Sequence, residues 1–275
     1  MKIIALFIDA FSELTQHKLR TLLTLLGMIF GVGAVIAMLN IGEGAEKEAM
    51  KMISTMGLHN LIVEAKTFEA SELKEQRKHS SGLNIRDGEI SQRPLPFVEG
   101  FSAQKLIDTY IIFSAEGKSD GEAVGVSPSF FDLSKFTLAD GRILTEHDDK
   151  NFFQVALLGA STAKQLFPQG GAVGKNVKIN HLWFKVVGVL QAPFLKKDAF
   201  QGIKLGGEQH QVFVPLKTAI HKFPNKKLSS EVTSLKLKLA DDIDPIAAAK
   251  AVSHFLDRRH NDVDDYNLIV PAALL

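Results

Sequence analysis

The chain has no cysteine. That absence removes disulfides, thiolate metal sites and cysteine nucleophiles together. Tryptophan and tyrosine are scarce, one and two residues against nineteen phenylalanines, and we read no function from that imbalance. Excess charge is missing too: 32 Lys plus Arg face 31 Asp plus Glu over 275 residues. A broad nucleic-acid surface needs a basic excess, so nucleic acid is not an expected partner. The nine histidines are scattered without an H-x-x-x-H pair, and neither a metal nor a cofactor is expected. What remains is 45% hydrophobic and 23% charged, ordinary for a folded protein and unlike a disordered one.

The strongest positive signal is near the N-terminus. Residues 21–42, TLLTLLGMIFGVGAVIAMLNIG, carry no charge. A helix of that length rises about 33 Å, enough to cross a hydrocarbon core of roughly 30 Å. Signal peptides have shorter apolar cores that begin almost at the first residue, whereas twenty residues precede this one. In those twenty, Ile3, Ile4, Phe7, Ile8, Phe11 and Leu14 recur at three- and four-residue steps, the pattern of an amphipathic helix lying in the headgroup plane over residues 1–20. Lys2, Lys18 and Arg20 before the span and Lys47 and Lys51 after it give a mild positive-inside bias. It favours a cytoplasmic N-terminus, with Lys18 and Arg20 as the cytoplasmic-side anchor. Within the span, Gly27 and Gly31 form a G-x-x-x-G pair with Ala34 one turn on, a small-residue face suited to another helix.

The remainder reads as α+β. A break at Gly42 and Gly44 is expected to open a stalk helix over residues 43–57, stopped by Gly57. NLIVEA follows as a strand, NIRDGEISQRPLPF as a helix halted before Pro94, and residues 106–115 as a strand. Between residues 117 and 216 short apolar runs alternate with turn signals (GEAVGV, SPSFFDL, DGRIL, QVALLG, GKNVKI, WFKVVGVL, QVFVPL) around one helix, STAKQLF, which suggests a β-rich module. Mixed structure then returns: LKTAIHKF, the half-buried strand SLKLKLA, the helix PIAAAKAVSHFLDRRH and the strand YNLIV.

Motifs for chemistry fail on spacing. GGAVGKN, residues 170–176, is one residue short of a phosphate loop and has Asn176 where Ser or Thr should be; a plain hairpin between two strands is expected. GASTA lacks the second glycine of a nucleophile elbow, and Ser161 reads as a helix cap. His147-Asp148-Asp149 reads as a solvated turn, and residues 257–265, DRRHNDVDD, as a mixed-charge helix end. No catalytic residue is assigned.

Several segments in order carry a resemblance. HKLRTLLTLLGMIFGVGAVIAMLNIGEGA resembles the first membrane helix of MacB/FtsX-type ABC transporter permeases. MGLHNLIV is similar to the passage that opens their periplasmic domain. VGVSPSFFDL, LADGRILTEHD, VALLGASTAKQLFP, VGKNVKI and FKVVGVL resemble its core, and VPLKTAI its exit. The resemblance implies a periplasmic body in which a porter-like α+β subdomain, residues 58–116 and 217–270, is split by a β-rich sabre-like subdomain, residues 117–216. It implies an inner-membrane permease of the mechanotransmission class without catalytic residues of its own. Expected partners are the lipid bilayer, a cytoplasmic ABC ATPase subunit, a homo- or heterodimeric permease partner and a MacA-like periplasmic adaptor. Family members return to the membrane after the stretch matching YNLIVPAALL and add three helices, so the resemblance also implies a truncation or a remainder encoded elsewhere. A Lol-type lipoprotein-release permease, an FtsX-like regulator of a cell-wall hydrolase and a single-span binding or sensor protein are the alternatives.

Overall fold

The computed structural model describes residues 18–56, 60–134, 136–191, 199–200, 203–204, 207–225 and 228–274. The expected interfacial helix falls, up to residue 17, outside the described residues, as does Gly57. The chain divides into two compact units, Met1–Lys51 and Met52–Leu275.

Helix α1 (Lys18–Met56) is continuous over 39 residues. The break expected at Gly42 and Gly44 is absent. A glycine in a helix interior costs only about 1 kcal/mol relative to alanine, and the flanking segments MLNI and AEKEAM contain no proline. Intrahelical hydrogen bonding therefore carries the helix through both.

The second unit is built on one sheet. Its strands are β1 (Asn60–Ala65), β2 (Val98–Leu106), β3 (Ile112–Phe113), β4 (Lys118–Ser119), β5 (Glu122–Val126), β6 (Leu138–Gly141), β7 (Val155–Leu158), β8 (Asn176–Ile179), β9 (Leu182–Leu190), β12 (Gln211–Pro215), β13 (Ser234–Leu239) and β14 (Tyr266–Ile269). They run β14-β1-β13-β2-β5-β12-β7-β9-β8-β3-β4, with β6 on β9. The small strands β10 (Ala199–Phe200) and β11 (Ile203–Lys204) pair separately. Pairings β5–β12 and β7–β9 are parallel and the others antiparallel. The helices of this unit are α2 (Ala70–Gln76), α3 (Ile85–Ser91), α4 (Ser129–Ser134), α5 (Glu146–Lys150), α6 (Ala160–Leu166), α7 (Leu216–Lys222) and α8 (Pro245–Arg259).

The two ends of the sheet are covered differently, and the sequence pattern follows. Strand β13 alternates, with Leu235, Leu237 and Leu239 buried beside Leu61, Val63 and Val252 and the lysines between them partly exposed. That half has one packed face. Strand β7 and, after Gln211, strand β12 are apolar because both their faces are buried. Ala156, Leu158, Val212 and Val214 pack with Phe184 and Leu166 on one side, while Leu157 and Phe213 pack with Phe130 and Phe131 on the other. Helix α7 joins the two halves: Leu216 belongs to the first cluster and Ala219 to the second. Its seat is Gly125, where an added Cβ would lie 2.3 Å from that of Ala219.

Two local expectations need correction. Residues 106–115 are not one strand: Asn180 Oδ1 accepts the N–H groups of Tyr110 (3.0 Å) and Ile111 (3.4 Å), which takes this segment out of the ladder between β2 and β3. SPSFFDL ends in helix α4 rather than in a strand, with Phe130 and Phe131 both buried on one cluster.

Candidate functional site

Two features stand out: the apolar surface of α1 and a buried charge cluster beside a cavity in the second unit. Lys18–Gly44 is a 27-residue candidate span, uncharged from residue 21 to 42, with none of its most apolar window buried. At 1.5 Å per residue this covers about 40 Å. Leu22, Phe30, Val35, Met38 and Ile41 are all more than half exposed, a contiguous apolar surface of the kind that marks a membrane or protein contact. One polar side chain within it is satisfied by the helix itself, as lipid requires: Thr24 Oγ1 donates to the carbonyls of Arg20 and Thr21, both at 3.0 Å. Gly27, Gly31 and Ala34 share a helical face, and a Cβ at either glycine would meet nothing within 4 Å. Lys18 and Arg20 are exposed at the start of the span.

The charge cluster assembles from residues far apart in sequence. His260, Asp87 and Asp265 are each at most 2% exposed. His260 Nδ1 meets Asp265 Oδ1 at 2.5 Å and its Nε2 meets Asp87 Oδ2 at 3.3 Å. Asp87 also accepts from Arg259 Nε (2.7 Å) and the Asn84 N–H (2.9 Å). Asp265 accepts from Ser80 Oγ (2.5 Å) and Arg77 Nη1 (3.4 Å). Burial opposes charge on the imidazole, but its hydrogen bonds to Asp265 and then Asp87 outweigh it and lift its pKa to about 9. Burial likewise opposes charge on both carboxylates, yet hydrogen bonds led by His260 hold each below its ordinary value. With a carboxylate on each ring nitrogen, His260 is an imidazolium that has no free lone pair for a general base. The cluster therefore fastens the end of α8 to the start of α3 and to the segment after α2.

Arg77 connects the cluster to a cavity of about 470 Å³ lined by Phe68, Leu73, Arg77, Lys105, Phe223 and Val232, among others. Its cations are already engaged: Arg77 donates to Leu228 O (2.6 Å) and Ser230 Oγ (2.9 Å), and Lys105 to Glu231 O (2.9 Å). Burial pulls the Lys105 ammonium below its ordinary pKa. Two carboxylates, Asp108 and Glu122, line the same space.

The sequence decoys resolve by their contacts. GGAVGKN lies between α6 and β8 rather than between two strands, so the hairpin expectation is corrected. Gly174 N–H donates to Val186 O (2.8 Å), and Lys175 pairs with Glu116 at 2.6 Å. A strand, not a helix N-terminus, follows the glycines. Ser161 is inside α6, whose N-cap is Gly159. Asp148 accepts both Arg142 Nη1 (2.6 Å) and Nη2 (3.0 Å); against burial, these bonds hold its pKa at about 2. Asp149 accepts Lys217 N–H at 2.8 Å. Among the described residues no three His, Cys, Asp or Glu side chains gather to hold a metal ion. The cluster around His260 was missed because its partner Asp87 stands 173 residues away in sequence; the only local signal was the density of charge in DRRHNDVDD.

An exposed apolar helix followed in the chain by a sheet-based α+β body is the layout of a membrane-anchored domain. The chain belongs to the MacB-like periplasmic core domain family, whose model matches residues 21–255. It is 25% identical over 254 residues to the macrolide export ATP-binding/permease protein MacB of Aggregatibacter actinomycetemcomitans, covering 92% of this chain and 37% of that protein. It is 28% identical over 196 residues to the uncharacterized ABC transporter permease YvrN of Bacillus subtilis, covering 70% of this chain and 48% of the relative. In fold it resembles the periplasmic region of MacB from Actinobacillus actinomycetemcomitans, with a TM-score of 0.63 at 20% identity over 82% of this chain and 95% of that one. It also resembles the extracellular domain of the transporter YknZ from Gram-positive bacteria, with a TM-score of 0.57 at 15% identity over 76% and 99% of the two chains. The chain thus spans well under half the length of the MacB relative.

The cluster makes a pH-dependent contribution to stability whose sign is fixed by its shifts. The raised His260 pKa stabilises fully below its unfolded value near 6.5 and ceases to do so as pH rises through about 9. The lowered Asp87 and Asp265 values stabilise above the unfolded carboxylate value and fail as pH falls through their folded values. Chemical unfolding of the detergent-solubilised chain should show stability declining between pH 6.5 and 9. His260→Ala leaves buried carboxylates without their cation and should cost about 3–5 kcal/mol at pH 6.5, with much of the difference gone at pH 9. An equal loss at both pH values would contradict a charged His260.

Proposed function

We propose that this chain is the permease part of a MacB-type mechanotransmission ABC exporter, coupling ATP hydrolysis on a separate cytoplasmic subunit to conformational change outside. The observation that carries this reading is α1, unbroken from its lipid-compatible stretch to Met56, with β1 beginning at Asn60. A continuous helix transmits displacement that a flexible joint would absorb. In this reading the N-terminus is cytoplasmic, Lys18 and Arg20 anchor it at the headgroups, and the body lies in the periplasm. The names of the relatives, which join ATP-binding with permease, support an ABC ATPase as the motor. The open face at Gly27, Gly31 and Ala34 supports a further permease helix as neighbour, and a MacA-like adaptor is the proposed periplasmic partner. The body is then a porter-like part, residues 58–116 and 217–270, split by a sabre-like part, residues 117–216.

Purification tests the reading. The chain extracted from native membranes should carry an ABC ATPase with it, and by itself should give no heat with ATP in calorimetry. Its isolation without any ATPase, or micromolar nucleotide binding by this chain, would contradict the proposal. The helix face has its own test. Gly27→Leu with Gly31→Leu should weaken helix association in a membrane crosslinking assay by about 1–2 kcal/mol, and unchanged crosslinking would mean that the glycines face lipid.

A further inference from the structure

The far edge of the sheet carries aromatic side chains that its core does not need. Cross-strand partners share a face of the sheet, and the register sets Lys118, Phe113, Lys178 and Trp183 in one row across β4, β3, β8 and β9. Lys185 lies on the same face, opposite Asn176 and Val155. Trp183 is 49% exposed. Its ring meets that of Phe113 edge-on at 5.9 Å, with the Lys178 ammonium 5.6 and 5.7 Å from the two ring centres.

Next to this row is the turn before β7. Gln154 Nε2 donates to Trp183 O at 2.9 Å, and Lys222 Nζ donates to Gln154 Oε1 at 2.9 Å. The turn presents Phe152 and Phe153, 39% and 42% exposed. Each is braced by a histidine ring: His221 stands 4.9 Å from Phe152 and His147 5.3 Å from Phe153. Phe152 has φ 55, a conformation that bulky residues avoid.

The charge of this surface is one-sided. Lys118, Lys178, Lys185 and Lys222 have no carboxylate partner among the described residues, whereas three neighbouring acids are taken by other cations, Glu116 by Lys175, Glu146 by Lys150 and Asp148 by Arg142, and Asp120 accepts from Gln165 Nε2 at 2.7 Å. Exposed aromatics within a rim of one sign are the composition of a recognition surface, in which aromatic anchors hold and charges select. We propose that the surface from Lys118 through Trp183 to Phe152 and Phe153 docks an acidic segment of a partner protein. Carboxylates of that segment meet the lysines, and its apolar side chains seat against Trp183 and the phenylalanine pair.

The full chain in nonionic detergent and a fluorescein-labelled peptide of alternating Glu and Phe test this by fluorescence anisotropy, with no ATPase present. The result is therefore independent of the permease reading. The peptide should bind, and more weakly as salt rises. Trp183→Ala should weaken it about thirtyfold, as expected for an anchor residue, and Lys178→Glu with Lys185→Glu about tenfold. The unfolding midpoints of the variants should match the parent; Lys185→Glu alone, at an exposed position, is the reserve if another variant is unstable. Equal binding of a peptide with Lys in place of Glu would overturn the proposal. So would unchanged affinity in the charge-reversed chain, or patch-dependent binding of phosphatidylglycerol vesicles in preference to the peptide. Self-association that Trp183→Ala abolishes would overturn it in favour of a second copy of this chain.

Discussion

Three residue pairs hold the two halves of the body together through the sheet: Gln104 with Val126, Lys105 with Gly125 and Leu106 with Val124, between β2 and β5. On one side of this seam lies a four-strand half packed on one face. On the other lies a half whose inner strands are buried on both faces. The seam is short, and its neighbours reinforce it. Helix α7 rests on Gly125 and contributes Leu216 to one core and Ala219 to the other. Ser127 Oγ accepts the Ala103 N–H at 3.0 Å, and Ser129 Oγ donates to Phe101 O at 2.8 Å, so the chain leaving β5 is tied back to β2. A body stitched along one ladder can hold its halves as a unit while leaving each with its own core.

The buried charge cluster acts within the first half. It joins α8, α3 and the segment after α2, which also share an apolar cluster through Leu83, Ile85, Val252 and Leu256. A buried ion cluster is not in general a better stabiliser than apolar packing of the same volume. Its value here is directional: His260 satisfies Asp87 and Asp265 at the same time, and Tyr266 Oη, held at 2.6 Å from Asp257 Oδ1, fixes the start of β14 nearby. Burial first, then Asp257, pushes the Tyr266 hydroxyl above its ordinary pKa, so it stays a donor. Through Arg77 the cluster also sets one wall of the cavity.

Much of this could be read from the residues, and the failures have physical causes. The apolar span, the alternating β13 and the continuous apolar runs of β7 and β12 all followed from periodicity, because burial on no face, one face or two faces leaves its pattern in the sequence. Strand β2 had no such pattern. It runs through Glu99, Gly100, Ser102, Gln104 and Lys105, and its Lys105 is buried only because Glu231 O receives it. The end of the stretch 106–115 was decided by the side chain of Asn180, seventy positions from Tyr110. Gly42 and Gly44 looked like a hinge by propensity alone, but two small penalties did not interrupt a long helix. Long-range partners, not local preference, governed the misses at β2 and at residues 106–115, and the same holds for Asp87 and His260.

The proposed function requires α1 to carry motion into the body. Because the chain lacks cysteine, a single introduced thiol labels it cleanly, and Tyr110, 75% exposed, is a suitable position. The direct measurement is the electron–electron dipolar distance between spin labels at Tyr110→Cys in two copies of the chain, isolated together with their ATPase. The distance distribution should shift when ATP is added, and Gly44→Pro, which interrupts α1, should abolish the shift while leaving the ATPase bound. Identical distributions with and without ATP, or a shift that survives the proline, would contradict it.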